Sequence, residues 1–225
     1  MKKTKLFRLV PIALISVFFM SCYITKDNIH KEVNASVDIS TMHYSGSNIT
    51  SGATVGFNAG FALTEDIENQ AFNSKGKNTA HSFFSLKEGI EIAGKGTHEN
   101  DFGGISSTNN IYYLELPATL NYNFKLSADN WLRTGLGVYL ADAFYGHYST
   151  NYGNGDVESG RYRGFNTTDN FASFDYGLRA VTGLSVSKNI DLYISYDFVL
   201  YNVIVDNYNK QHNRSIGLNI SYRFR

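Results

Sequence analysis

Two stretches near the end of the chain decide the fold: Ile190–Leu200, IDLYISYDFVL, and Arg214–Phe224, RSIGLNISYRF. In the first, Ile190, Leu192, Ile194, Tyr196, Phe198 and Leu200 alternate with Asp191, Tyr193, Ser195 and Asp197. In the second, Ile216, Leu218, Ile220, Tyr222 and Phe224 alternate with Ser215, Gly217, Asn219, Ser221 and Arg223. Successive side chains of a strand point to opposite faces. Each stretch therefore has one continuous apolar face and one polar face that carries charge. That is the pattern of a transmembrane β-barrel with lipid outside and a polar interior. A soluble lipocalin-like barrel would reverse the two faces.

The same alternation, followed backwards, predicts strands over 33–44, 53–63, 83–94, 111–124, 131–146 and 171–186, with a turn at Ser187-Lys188-Asn189. Eight strands is an even number, as in single-chain outer-membrane barrels. The predicted fold is all-β: an eight-stranded antiparallel up-and-down transmembrane β-barrel over residues 33–225. Lys95–Asn110 and Ser149–Asn170 are polar and read as long outer loops, while the turns after the fourth and sixth strands are short. Thr64–Ser82 breaks the rhythm; it admits a short helix over Glu65–Phe72 and would make an unusually long periplasmic connection. Proline cannot donate to a ladder, so Pro117 predicts a local bulge. Glu88 shares a face with Phe84, Leu86, Ile90 and Ile92. A carboxylate in mid-bilayer is costly, so either Glu88 lies near an interface or the register slips there.

The start of the chain reads as an export signal over 1–22, followed by a polar periplasmic lead-in over 23–32. Lys2, Lys3, Lys5 and Arg8 precede the twelve-residue apolar stretch Leu9–Met20, which is too short for a membrane-spanning helix. Loss of those four cations leaves 16 basic against 20 acidic residues. That balance offers nothing to nucleic acid, which wants a basic face. Cys22 is the only cysteine and follows Ser21 at the end of the apolar stretch. It is a candidate for lipid attachment; the alternative is an ordinary signal cut nearby, with the thiol lost or left free.

Tyr113-Leu-Glu-Leu-Pro117 with Asn121-Tyr-Asn-Phe124, Phe174-Asp-Tyr-Gly177, and Asn213-Arg214 with Ile220-Ser-Tyr-Arg-Phe224 resemble strand motifs of the PorT-like outer-membrane β-barrels of Bacteroidetes. Phe84-Ser-Leu-Lys87 is similar to a further run, with Glu88-Gly89 in place of Pro-Glu. The resemblance implies an eight-stranded barrel in the outer membrane of a Gram-negative cell, inserted by the barrel-insertion machinery. It implies no defined activity. Such barrels usually end on an aromatic residue; here Phe224 is followed by Arg225.

The inward set holds Asp38, Lys87, Glu91, Glu115, Arg133, Asp175, Arg179, Asp191, Asp197 and Arg223. Eight strands leave an interior just wide enough for side chains to fill, and buried charges need partners. We therefore expect an interior charge network of Glu115, Arg133, Asp175, Arg179, Asp197 and Arg223. In it Glu115 and Arg133 lie on adjacent strands, and Arg179 pairs with an inward acid. The sharper alternatives are a narrow ion path and a lipid-active enzyme. No Gly-x-Ser-x-Gly motif accompanies the histidines, and Gly135-x-Gly137 lacks the rest of a nucleotide fingerprint. His98, Glu99 and Asp101, and the Asn154–Glu158 stretch, are oxygen-rich but lack calcium-loop spacing. We expect no catalytic residues, metal or cofactor. The expected partners are outer-membrane lipid and an extracellular molecule met by loops 95–110 and 149–170, with Tyr145, Tyr148, Tyr152, Tyr162 and Phe165 at or beyond the outer rim. The expected role is structural or surface interaction.

Overall fold

A computed structural model describes residues 29–45, 50–67, 82–100, 104–127, 130–162, 174–200 and 210–224. Its strands are β1 (Ile29–Ser45), β2 (Thr50–Ile67), β3 (Ser82–Asn100), β4 (Ser106–Lys125), β5 (Trp131–Asn151), β6 (Val157–Arg161), β7 (Phe174–Ser185), β8 (Ile190–Val199) and β9 (Lys210–Phe224). The order β4-β3-β2-β1-β9-β8-β7-β5 closes through a β4–β5 pairing, and every pairing is antiparallel. Eight strands thus form a ring. β6 is a short extra strand paired to the outer end of β5. The eight-stranded transmembrane barrel expected from the sequence is the observed architecture.

Register fixes its shape. Hydrogen-bonded partners lead once round the ring from Lys31 through Leu63, Glu88, Ala118, Val138, Leu178, Phe198 and Arg214 to Thr41, ten residues further along β1. A stagger of that size over eight strands tilts each strand by about 40°. Each residue then advances ~2.5 Å along the barrel axis.

The outer wall is apolar. Val55 and Leu136 are each 73% exposed and Leu218 is 66% exposed. Water would not tolerate such a continuous surface, but hydrocarbon does. Aromatic rings bound the band at both ends. Tyr112 stacks with Phe57 and Tyr145 at 6.1 and 5.6 Å, and Phe84 stacks with Tyr122 at 5.2 Å. Tyr112 and Tyr122 stand ten residues apart on β4, ~25 Å along the axis, which matches the apolar height of an outer-membrane barrel. Closure also leaves no open sheet edge in the lipid.

Several expectations need correction. Lys95–Asn110 is not a loop: β3 runs through Asn100 and β4 begins at Ser106. Ser149–Asn170 is not a featureless loop either, since β5 continues to Asn151 and β6 folds back along it. The lead-in ends earlier than expected, because Ile29–Glu32 already belongs to β1. Glu65–Ile67 is strand rather than helix. The last strand begins at Lys210 rather than Arg214. Pro117 causes no bulge: the shift on β4–β5 falls between Tyr112 and Tyr113. Gly89 sits opposite Pro117, where an added Cβ would stand 3.5 Å from the proline ring. The β3–β4 ladder simply omits its partners for Gly89 and Ile90. Glu88 keeps its register and lies outward beside Leu63 and Ala118. Leu86, two residues nearer the periplasm on the same face of β3, partners Glu65. The export signal, Cys22, residues 68–82 apart from Ser82, and Phe165 lie outside the described residues.

Candidate functional site

The interior is the chemically dense region, and it is layered. Nearest the periplasm lies the first ionic layer. Glu32 on β1 accepts from Lys87 on β3 at 2.8 Å and from Arg223 on β9 at 3.0 Å. Arg223 also donates to Asp191 on β8 at 2.7 Å. Arg133 on β5 donates its Nε to Asn123 at 2.9 Å. Its Nη1 approaches Asp191 to 2.9 Å without hydrogen-bond alignment. Alternation on each strand aims these side chains at the axis.

The second layer is centred on Arg179. Its Nε and Nη2 both reach Asp197 at 2.7 Å, forming a fork. Nη1 donates to Glu91 on β3 at 3.1 Å, and Nη2 also bonds Glu115 on β4. One guanidinium on β7 therefore spans the lumen to β3. Lys95 completes the layer with a 2.8 Å bond to Glu115, and its ammonium stands 4.4 Å from the centre of the Tyr139 ring. Glu115 is 0% exposed and Arg179 6%. Charges so buried survive only when paired, and planar guanidinium geometry suits several carboxylates at once.

Above this layer, toward the outside, the filling turns apolar. Ala93, Ile111, Tyr113, Tyr139, Ala141, Ala143 and Val199 form one buried cluster, and Tyr162 packs against it. The Tyr162 hydroxyl donates to Asn109 at 2.6 Å, and its ring stacks on Tyr148 at 5.5 Å. Between the two ionic layers lies a cavity of about 30 Å³, lined by Lys87, Gly89, Pro117, Arg133, Arg179 and Tyr193 among others. Such a volume suits one or two waters and no larger solute.

Of the six network residues read from sequence, Arg179, Asp197 and Glu115 meet in one layer. Arg133 and Arg223 meet in the other. Asp175 lies beside Lys95 at 3.9 Å and accepts from Tyr139 at 3.5 Å, not from Arg179. Glu115 and Arg133 do not meet, despite their adjacent strands. Glu115 stands opposite Ala141, and Arg133 opposite Asn123. Two central residues, Glu32 and Lys95, fall outside that set, because the sequence reading assigns them to a lead-in and a loop. Inward alternation with Asn34 and with Ala93 was the signal available.

Glycines make room for this filling. A Cβ at Gly217 would strike the Asp38 carboxylate, and one at Gly137 would strike the Ala118 carbonyl. The Gly135-x-Gly137 pair thus serves crowding inside the barrel.

Beyond the girdle, β5 and β6 form a ribbon. Gly153 and Gly155 turn it with φ of 78° and 95°. Tyr152 donates to Glu158 at 2.7 Å, a bond that raises the phenol pKa above its usual value. The oxygens of the Asn154–Glu158 stretch are engaged within this turn, as Asn154 binds Asp156 twice and Glu158 accepts from Tyr148 and Tyr152. His98 and Glu99 point to opposite faces and bond Thr108 and Asn109 respectively. Among the described residues no His, Cys, Asp and Glu group is placed to hold a metal.

No protein-family model and no curated protein matches the sequence. Solved structures that resemble it include small outer-membrane barrels. Ail, the attachment invasion locus protein of Yersinia pestis, seen with the heparin analogue sucrose octasulfate, is 13% identical, covering 88% of this chain and 99% of its own, with a TM-score of 0.39. Neisserial surface protein A is 16% identical over 86% and 97%, with a TM-score of 0.42. The outer membrane protein OprG from Pseudomonas aeruginosa is 10% identical over 88% and 96%, also at 0.42. These likenesses are slight, and the functional reading rests on the chain's own geometry.

Proposed function

We propose that this chain is a small barrel of a Gram-negative outer membrane, with a closed membrane part and a surface-interaction role outside it. The observation that carries this reading is Arg179, tied across the lumen to Glu91, Glu115 and Asp197. A guanidinium held by acids on three strands stands across the lumen as an ionic plug, which supports a closed membrane part. What lies outside is the β3–β4 hairpin and the β5–β6 ribbon, rigidly continuous with the wall. Loops carried on a rigid scaffold are the usual bearers of recognition. The role includes no chemistry of its own. The PorT-like motifs, insertion by the barrel machinery and a lipid on Cys22 belong to the same proposal.

Planar-bilayer recording of the purified protein tests it. A silent bilayer is expected. Steady single-channel steps from the unaltered protein would favour the second reading, a narrow channel, for which the cavity beneath Arg179 is the specific support.

A further inference from the structure

β6 has one paired edge and one free edge. It is laddered to β5 from His147↔Arg161 to Asn151↔Val157, and no other described strand joins it. The next strand round the ring, β7, starts at Phe174 opposite Asp142, below the level of Arg161 and His147. Two bonds fix which backbone groups face the free side. Tyr162 donates its N–H to the Gly146 carbonyl and Tyr152 donates its N–H to the Asp156 carbonyl, each at 3.0 Å. In an antiparallel ladder the N–H and C=O of one residue point to the same side, and successive residues alternate. Asp156, Glu158, Gly160 and Tyr162 therefore face β5. Val157, Ser159 and Arg161 turn their N–H and C=O groups away from it, and all three residues are exposed. No proline or bulge blunts this edge. It stands beyond the Tyr145 girdle, in water.

The face beside the edge is prepared. The Tyr148 ring lies across Gly160, where a Cβ would stand 2.6 Å from the phenol oxygen. That ring stacks on Tyr162 at 5.5 Å, and its hydroxyl donates to Glu158, which also accepts from Tyr152. Rings held in this way lose little freedom when something docks on them. Asp156 and Glu158 are exposed and have no cation partner among the described residues.

Unpaired N–H and C=O groups at strand spacing are matched by one ligand chemistry, the backbone of an extended polypeptide. A sugar or an acyl chain has no such alternation. A partner residue opposite Glu158 would share its face and approach it as a non-hydrogen-bonded pair, the closer kind. A lysine or arginine there answers the two carboxylates. Two residues along, the partner side chain lands beside Gly160 and the Tyr148 ring, which suits an aromatic.

We infer that the free edge of β6 is a docking site for an extended segment of an extracellular polypeptide. The segment adds a strand through the backbone of Val157, Ser159 and Arg161 and sets a cationic side chain against Glu158. The inference rests on the surface-interaction reading above and gives that reading a class of partner.

The test titrates the full chain, folded in lipid nanodiscs, with the labelled peptide Thr-Lys-Thr-Tyr-Thr-Lys-Thr and reads fluorescence anisotropy. The lysines and tyrosine share one face, and the peptide reads alike in both directions, so either strand sense is open to it. One control peptide is N-methylated at its inner threonines, which face β6 in the expected register. The other has glutamates in place of lysines. The unaltered protein should bind the first peptide about ten-fold more tightly than either control. Ser159→Pro removes an N–H that faces the free side and none that bonds β5. It should keep the heat-shifted gel mobility and bind about ten-fold more weakly. Glu158→Gln should bind about five-fold more weakly yet still discriminate against the methylated peptide. Failure of the unaltered protein to bind, or equal binding of the methylated peptide, overturns the inference, and neither result depends on a variant folding. Dimers of the unaltered protein that Ser159→Pro converts to monomers would make the occupant a second copy and overturn it too. The closed barrel is read electrically, so it stands or falls apart from the peptide.

Discussion

Arg179 and Asp197 are register partners across the β7–β8 ladder, and they close a fork of two 2.7 Å bonds inside the barrel. The same guanidinium bonds Glu91 and Glu115 from the far wall. Arg179→Leu would leave three buried carboxylates with Lys95 as their nearest cation. Removing one partner of a buried pair costs about 3–5 kcal/mol. The variant should unfold at markedly lower temperature, read as loss of the folded band on a semi-native gel. An unchanged transition would mean that the acids are neutral without the arginine.

Lys95 and Glu115 should be coupled. Lys95→Met alone strands part of the Glu115 charge, and Glu115→Gln alone leaves Lys95 with only distant acids at 3.9 Å. The double variant removes both charges. Its loss should fall short of the sum of the single losses by about 1–3 kcal/mol. Strict additivity, measured by denaturant unfolding in detergent, would dissolve the pair.

Leu136 is among the most exposed large apolar residues, so in water its replacement by lysine would be harmless. In a lipid-facing position near the middle of the band it should cost about 2–4 kcal/mol. Ser149→Lys, outward on the extracellular ribbon, should cost nearly nothing. Equal stability of both variants in refolding from urea into lipid vesicles would contradict the placing of the band.

Two inward positions should respond in opposite directions. Gly137→Val drives a side chain into the Ala118 carbonyl and Thr119, and it should prevent or strongly weaken folding. Thr97 is fully buried, and its hydroxyl has no hydrogen-bond partner among the described residues. Thr97→Val keeps the shape and removes the unsatisfied group, so it should be neutral or stabilising by about 1 kcal/mol. Thermal unfolding of both folded samples checks the contrast.

The ring was legible in the sequence wherever lipid touches the wall, because there the outward residue must be apolar and period two is plain. It faded at the extracellular ends of strands. Gly94, Gly96 and His98 alternate with Lys95, Thr97 and Glu99, so both faces are polar or small and Lys95 read as loop. The extension is fixed instead by ladder bonds to β4. Which charges meet was less legible still. Strand neighbours follow from chain order, but the partner of a given residue depends on where each turn sets the register. Glu115 and Arg133 share adjacent strands yet stand eight positions apart, Arg133 being level with Asn123. Bonds across the lumen, such as Arg179 to Glu91, depend on the ten-residue stagger of the whole ring, which no local pattern encodes.

The seam between β1 and β9 joins the earliest and latest strands through fifteen residue pairs. Its making must await the final segment to emerge from synthesis, so early assembly cannot proceed piecemeal. Until that moment β1 shows a raw hydrogen-bonding margin to any neighbour, and contacts of such long sequence separation form slowly. The polypeptide therefore depends on being held open, and kept from its siblings, until the circle can shut.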